Sequence, residues 1–399
     1  MLTSRQHRNV ARLAVAQALS MTSMNVNIIN TALVGVLLAP MAWLATLPLS
    51  LQFLTSMMVT LPASLLMSRY GRRPILIAGV LISGLSTLCL GIAVVIGSFP
   101  LFCGGGMGLG AAMGIAGYYR YAAADGVAED LRPKAISYVL AGGLAAAILG
   151  PEIARRTVDI LPDFLYAGCF FTVAIVQMAS LIVLWGIRIE KPRRTPTGGR
   201  PIGAFLRMPV FVVGMICCAI GYALMSYLMT ATPLQVVNVA KLGTSANATI
   251  IQWHVVAMFL PSLFTGHIIA GLGAFRVLWA GVLFYCVTIY LAVSASGFWG
   301  YWLALATLGL GWNFLFIGGT SLVAKVAEPE ERGRVQGLAD LVTMTTVAVA
   351  SLSAGAIHSQ LGWQAVGLAA LGPVLIVVLA LGWLGIASRR QQHARGANS

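Results

Sequence analysis

Glu190-Lys191-Pro192-Arg193-Arg194-Thr195-Pro196-Thr197-Gly198-Gly199-Arg200-Pro201 is the longest polar run in the chain. Its proline, glycine and charge make a linker composition. Around it lies a sequence of 399 residues that is 59% apolar and only 9% charged, where an ordinary soluble domain carries about 25% charged residues. Mean hydropathy is +0.88. Such a chain cannot cover its own surface in water and belongs in a bilayer. The linker, residues 188–207, divides it into two apolar parts, 1–187 and 208–399.

A membrane-spanning helix needs about 20 mostly apolar residues. Hydropathy places twelve such stretches, at 10–35, 42–67, 75–97, 99–123, 134–157, 163–187, 208–236, 247–270, 277–297, 299–324, 334–357 and 363–387. No alternating ten-residue segments suggest a barrel. The predicted class is an all-α membrane protein with six helices on each side of the linker. Charge gives an independent check, because cytoplasmic loops collect Lys and Arg. With both termini on one side, 21 of the 25 basic residues fall on that side and only Arg155, Arg156 and Lys241 on the other, with Arg120 inside a span. Both termini are therefore expected in the cytoplasm.

Several function classes are excluded or disfavoured. The net charge of +14 is dispersed in short clusters between apolar runs, not gathered on a face that would bind nucleic acid. The six cysteines lie in apolar stretches without CxxC or Cys/His spacing, so neither a metal nor a disulfide framework is expected. No cofactor is expected. HExxH and the phosphate-binding Gly-x-x-x-x-Gly-Lys-[Ser/Thr] are absent from the sequence, which argues against a metalloprotease or a nucleotide-driven pump. The first apolar stretch is too long for a cleaved signal. Few lysines among the bases, with abundant Ala and Gly, suggest a GC-rich bacterial genome and hence the bacterial inner membrane.

The two parts echo each other. Asp130-Leu131-Arg132-Pro133-Lys134 is matched by Glu330-Glu331-Arg332-Gly333-Arg334. Leu61-Pro62-Ala63-Ser64-Leu65 is matched by Leu260-Pro261-Ser262-Leu263, and the stretch from Arg73 to Leu81 by that from Phe275 to Leu283. Three matches in order near one offset indicate a parallel six-helix repeat. This architecture resembles the major facilitator superfamily. So does the loop Ser64-Leu65-Leu66-Met67-Ser68-Arg69-Tyr70-Gly71-Arg72-Arg73, which is similar to that family's Gly-x-x-x-Asp-Arg-x-Gly-Arg-Arg. Arg69, Gly71, Arg72 and Arg73 match. Ser64 and Ser68 replace the glycine and the aspartate. The resemblance implies a gating latch on the cytoplasmic side, with Asp125 the best substitute for the lost acid. The fifth span, Gly142 to Glu152, carries small residues at 142, 146 and 150, a pattern for close helix approach, and Gly150-Pro151 should bend it. It resembles the antiporter motif of drug/proton exporters, which ends Gly-Pro-x-x-Gly-Gly, although Ala154 and Arg155 stand where the motif's final glycines would be.

Ionisable side chains inside a membrane cost about 2.5–3.5 kcal/mol each on the gentler scale and point to function. Arg120, Glu152 and Asp340 are such groups, joined by His254 and His267 in the eighth span. A Glu152–His254 pair across the two halves is a candidate proton carrier, as is Asp340. The geometry that the resemblance implies turns the first, fourth, seventh and tenth spans towards a central cavity. Gln17, Asn27, Asn30, Tyr119, Arg120, Tyr222, Ser226, Trp312 and Asn313 are the candidate substrate ligands. Arg69, Gly71, Arg72, Arg73, Asp125, Gly150 and Pro151 are the candidate gating residues. The expected activity is that of a secondary transporter, not an enzyme, moving a small organic solute by alternating access, with protons as coupling ion and a monomer as the working unit. Proton-coupled export is favoured. Import of a nutrient, vitamin or metal chelate is the alternative, and a non-transporting scaffold or sensor the third reading.

Overall fold

The structure is a computed structural model that describes residues 4–127, 132–187, 200–294, 296–328 and 331–396. Asp130, Glu330 and residues 188–199 of the linker lie outside the described residues. The described chain is almost entirely helical. Helices run over α1 Ser4–Leu38, α2 Leu47–Tyr70, α3 Arg72–Ile96, α4 Phe99–Ala116, α5 Tyr119–Asp125, α6 Arg132–Thr157 and α7 Ala167–Trp185. After the linker come α8 Ile202–Leu206, α9 Pro209–Pro233, α10 Gly243–Phe259, α11 Ser262–Leu272, α12 Ala274–Ser294, α13 Gly297–Val326, α14 Arg332–Ala369 and α15 Leu371–Gly396. Helix makes up most of each of the twelve ranges read from hydropathy, with breaks that include 45–46, 163–166 and 260–261. Ten stretches among the described residues are long and apolar enough to cross a bilayer, and one of them, Val335–Ala387, holds two of those ranges. Gly362, at φ 80°, bends the chain inside α14 and separates the two.

Local chemistry explains the breaks. Gly71 (φ 92°) ends α2 and Gly273 (φ 81°) ends α11, and both positions open directly into the next helix. Only glycine enters that backbone region at little steric cost. The two corners lie at equivalent places in the sequence repeat. Pro261 separates α10 from α11, because its ring removes a backbone donor and crowds the preceding turn. Ser98 caps α4 by accepting from the Leu101 amide at 3.4 Å.

Helices α1–α7 pack chiefly on one another, and so do α9–α15. Within the first group α1 lies along α6, and α4 lies between α2 and α3. Here glycine is essential: a Cβ at Gly142 would strike the Ala14 carbonyl, and one at Gly110 the Gln52 carbonyl. The small-residue stripe of α6 is thus a packing seam against α1, in keeping with close helix approach in membranes.

The distribution of cores shows how the groups meet. At the end carrying the basic loops, each group has its own core. One contains Leu13, Met67, Leu76, Val127 and Leu184, the other Phe205, Phe211, Val323, Val335 and Ala339. At the opposite end the cores are shared. Ile28, Leu49 and Phe53 of the first group lie in one cluster with Tyr227, Val236 and Ala354 of the second. Ile251 and Val255 of α10 lie in a cluster with Val26, Leu33 and Val158. The groups are therefore sealed together at the far end, and the space between them opens towards the basic end.

Candidate functional site between the two helix groups

Four aromatic side chains of the second group form a wall at mid-height. Trp312 and Phe316, one turn apart on α13, stack with centroids 5.1 Å apart and rings inclined by 10°. Tyr222 of α9 meets Trp312 edge-on at 5.6 Å and Phe316 at 5.5 Å. Phe259, at the end of α10, meets Trp312 at 6.0 Å. Trp312 is buried, whereas Tyr222, Phe259 and Phe316 are half-buried. Met24 of α1 and Met113 of α4 pack from the first group onto the core that contains Trp312. Met21 and Phe259 converge on Gly143 of α6. A flexible thioether, Met21, thus lies beside the Phe259 ring across the two groups, a combination suited to an aromatic guest.

Towards the basic end the surroundings become polar. Arg120 of α5 lies over the Tyr121 ring at 4.8 Å, and its Nε has no hydrogen-bond partner among the described residues. Asp340 of α14 is exposed and lies within electrostatic reach of Arg120, Tyr118 and Tyr222. One cation and one anion from opposite groups therefore face the same space as the aromatic wall. Thr345 of α14 donates to the Met57 sulfur of α2 at 2.9 Å, bridging the groups nearby.

The other sequence candidates fall elsewhere. Tyr119 points away from this space: it is buried in the core of the first group and lines a small void with Ser20, Ser83 and Gln177. It follows Tyr118 and precedes Arg120 by one residue each, so helical rotation turns it inward. Asn27 donates to Gln52 Oε1 at 2.5 Å and accepts from Thr31 at 2.8 Å. Asn30 donates to the Val26 carbonyl at 2.9 Å. Asn27 thus ties α1 to α2, whereas Asn30 bonds back onto α1 itself. Gln17 is half-buried on α1, and Ser226 is fully buried on α9. Asn313, fully buried, is committed to α10 and α11 through bonds to Met258, Ser262 and Thr265. Phe259, Phe316, Met21, Met24 and Met113 were missed. Phe316 lies four residues after Trp312, a helical-face signal available in the sequence.

The expected Glu152–His254 pair does not form. Glu152 binds Arg155 and Arg156, each at 2.5 Å, as the i,i+3 and i,i+4 spacing favours. His254 is fully buried, with Nδ1 2.7 Å from the Leu305 carbonyl. Arg155 also reaches across the seal to Thr249 and Gln252 of α10, at 3.4 Å each. Gly150 packs against Thr22 and Asn25 of α1, and Pro151 is accommodated inside an unbroken α6.

In the signature loop, Arg72 Nη2 pairs with Asp125 at 2.5 Å. The substitute acid therefore engages the loop, but within the first group and not across to the second. Arg73 donates to the Trp185 carbonyl at 2.6 Å, Arg69 lies over the Tyr70 ring at 5.3 Å, and Ser68 turns back to the Leu65 carbonyl. In the second group the corresponding end is tied by Glu331. This carboxylate, 1% exposed, takes three hydrogen bonds from Arg200 at 2.7–3.0 Å. The guanidinium also donates to the Val326 carbonyl at 2.8 Å. These donors hold the Glu331 carboxyl down at about 2. The linker thus ends in a clamp on the start of α14.

Comparison with known proteins agrees with this construction. The sequence profile of the Major Facilitator Superfamily matches residues 13–251 and 236–399. The chain is 36% identical over 378 residues to the riboflavin transporter RfnT of Brucella anthropi, covering 94% of this chain and 95% of that protein. It is 27% identical to the MFS-type transporter YddS of Bacillus subtilis, over 78% of this chain and 76% of that one. Among solved structures, the POT family transporter PepTSo superposes with a TM-score of 0.76 at 12% identity, over 97% of this chain and 98% of that one. An inward-facing bacterial homologue of the lysosomal transporter Spinster gives 0.73 at 14%, over 98% of each chain. Two helix groups sealed at one end around a mid-membrane space, and a family profile spanning both, place this multi-pass membrane protein in the major facilitator superfamily of transporters.

Proposed function

We propose that this chain takes up a flat aromatic vitamin of the riboflavin class across the bacterial inner membrane, with protons as the coupling ion. The observation that carries the reading is the Trp312–Phe316 stack, edged by Tyr222 and Phe259, with Met21 of the other helix group beside Phe259. A planar heteroaromatic ring fits such a wall, and ring stacking of this kind is worth about 1–3 kcal/mol. The relative at 36% identity is a riboflavin transporter, which supports the same solute class. Arg120 and Asp340 supply a donor and an acceptor for the polar part of the solute.

Units 1–187 and 208–399 act as two bodies rocking about this space, with 188–207 as the cytoplasmic linker. A single chain contains the whole site, so a monomer suffices. Both termini lie in the cytoplasm, and the space opens to that side. Of the three proton candidates, Glu152 is held by two arginines and His254 by a backbone carbonyl. Asp340 is exposed beside Arg120 and is the carrier we favour. The α6 stripe that suggested export is accounted for by packing on α1 and speaks for neither direction.

The test is riboflavin flux in right-side-out and inside-out vesicles under an imposed pH gradient. Uptake into right-side-out vesicles that collapses without the gradient is expected. Flux no greater than in vesicles lacking the protein would refute the solute, and accumulation only in inside-out vesicles would restore export.

A further inference from the structure

Asn313 occupies an unusual position. Pro261 interrupts the span formed by α10 and α11; its missing amide frees the Ala257 carbonyl four residues back, and at the break the Met258 carbonyl accepts from Ser262 Oγ at 3.3 Å. Asn313 of the neighbouring α13 bridges the break. Its Nδ2 donates to the Met258 carbonyl at 2.7 Å and to Ser262 Oγ at 2.6 Å, and its Oδ1 accepts from Thr265 Oγ1 at 2.6 Å. One side chain thus holds the last turn before the break and the first turn after it. Asn313 and Thr265 are both fully buried.

Elsewhere α13 packs closely on the far half of this span, α10. His254 Nδ1 meets the Leu305 carbonyl at 2.7 Å. A Cβ at Gly309 would strike the His254 carbonyl, so α13 and α10 run in close contact. The near half, α11, exposes Leu263, Phe264, His267 and Leu272 and has few neighbours beyond α12 and α13. Its polar attachment to α13 among the described residues is the Asn313 cluster. The adjacent residue, Trp312, belongs to the aromatic wall and touches Phe259, the residue following Met258. Ring contact and hinge contact therefore sit on neighbouring residues of both helices.

We infer that Asn313 is a positioning residue: it sets the bend of the α10–α11 span and couples a ring seated on Trp312 to the swing of α11 that closes the basic end. It does not touch the solute. This departs from the ligand role expected from sequence. The coupling rests on the transport reading above, whereas the clamp itself stands on geometry, and the experiment separates them.

Asn313→Ala is compared with Thr265→Val, Pro261→Ala and the double variant Asn313→Ala/Pro261→Ala. Losing a bond to a buried carbonyl corresponds to about a tenfold change in a conformational equilibrium. In Asn313→Ala, hydrogen exchange over residues 260–272 should accelerate about tenfold while riboflavin Kd changes less than about threefold and the maximal flux drops about tenfold. Pro261→Ala returns a donor to the Ala257 carbonyl and lets the helix continue through the break, where the Ser262 amide is in register with the Met258 carbonyl, so adding Asn313→Ala to it should have less than half the effect seen alone. Thr265→Val removes one hydroxyl and keeps the fold testable if Asn313→Ala fails to accumulate; it should show the same split at smaller size. Unchanged exchange in α11 overturns the clamp. Equal loss of affinity and flux overturns the positioning role and returns Asn313 to the solute. If the parent protein neither binds nor moves riboflavin, the transport reading and the coupling fail together, and the exchange data still decide the clamp.

Discussion

Replacing Trp312 by leucine tests the solute site most directly. The indole stacks on Phe316 at 5.1 Å and receives the edges of Tyr222 and Phe259. Leucine keeps an apolar filler but removes the face that a planar solute would cover. A stacked ring contributes about 1–3 kcal/mol, so Kd for riboflavin should rise about 5- to 150-fold. Trp312→Phe keeps a ring in the same place and should raise Kd by no more than about fivefold, at the weak end of that range. The assay is quenching of riboflavin fluorescence on titration with purified protein in detergent. Trp312 is only 6% exposed, and shrinking a buried aromatic residue costs up to about 3–5 kcal/mol of stability. Thermal unfolding must therefore show that the variant remains folded at the assay temperature. A folded Trp312→Leu protein that binds riboflavin with unchanged Kd would refute the aromatic wall as the site. The same result would remove the main structural support for an aromatic solute.

Three further outcomes follow from the geometry. Asp340→Asn should abolish the dependence of flux on the pH gradient, whereas Glu152→Gln, already neutralised by Arg155 and Arg156, should leave it intact; vesicle flux against external pH separates them. Glu331→Gln should lower the melting temperature at pH 7. The Glu331 carboxyl is depressed to about 2 from 4.5, so its stabilising pairing is present above 4.5 and lost as pH falls towards 2. The gap between the two melting curves should therefore close across that window, and a pH-independent gap would mean Arg200 is not the cause. Arg155→Gln should loosen the far-end seal by weakening its bonds to Thr249 and Gln252. At an exposed-pair worth of up to about 1 kcal/mol, labelling of a cysteine placed at position 247 should rise up to about fivefold. No rise would show that the apolar cores alone hold the seal.

The spans were legible because a bilayer imposes a length and a composition on every segment that crosses it. The corners at Gly71 and Gly273 were implicit in the repeat, and the Arg72–Asp125 pair followed from asking which acid replaces the one missing at Ser68. The Glu152 interactions were readable too, since Arg155 and Arg156 lie three and four residues on. What sequence could not give was rotation about each helix axis. Tyr119 and Arg120 are neighbours in sequence, yet one is buried in its own helix group and the other faces the opposite group. Nor could it give partners across helices. Asn27 with Gln52 and Asn313 with Met258 are separated by 25 and 55 positions, and no local pattern links them.

The case of Asn313 shows why polar residues in a membrane bundle divide into two kinds. A buried amide has several donors and acceptors, and each unmatched one is costly away from water. An amide whose groups are all matched by protein, as in Asn27 and Asn313, gains nothing from meeting a solute. A group left unmatched, as with Arg120 Nε, does gain. Counting satisfied bonds thus sorts the sequence candidates: Asn27, Asn30 and Asn313 shape the helices, while Arg120, Asp340 and the half-buried aromatic rings remain available to a guest. On this ground Arg120→Gln should weaken riboflavin binding and Asn27→Ala should instead lower thermal stability, with binding by the folded fraction retained. An Asn27→Ala protein of unchanged stability and reduced affinity would show that satisfaction within the bundle does not predict silence towards the solute.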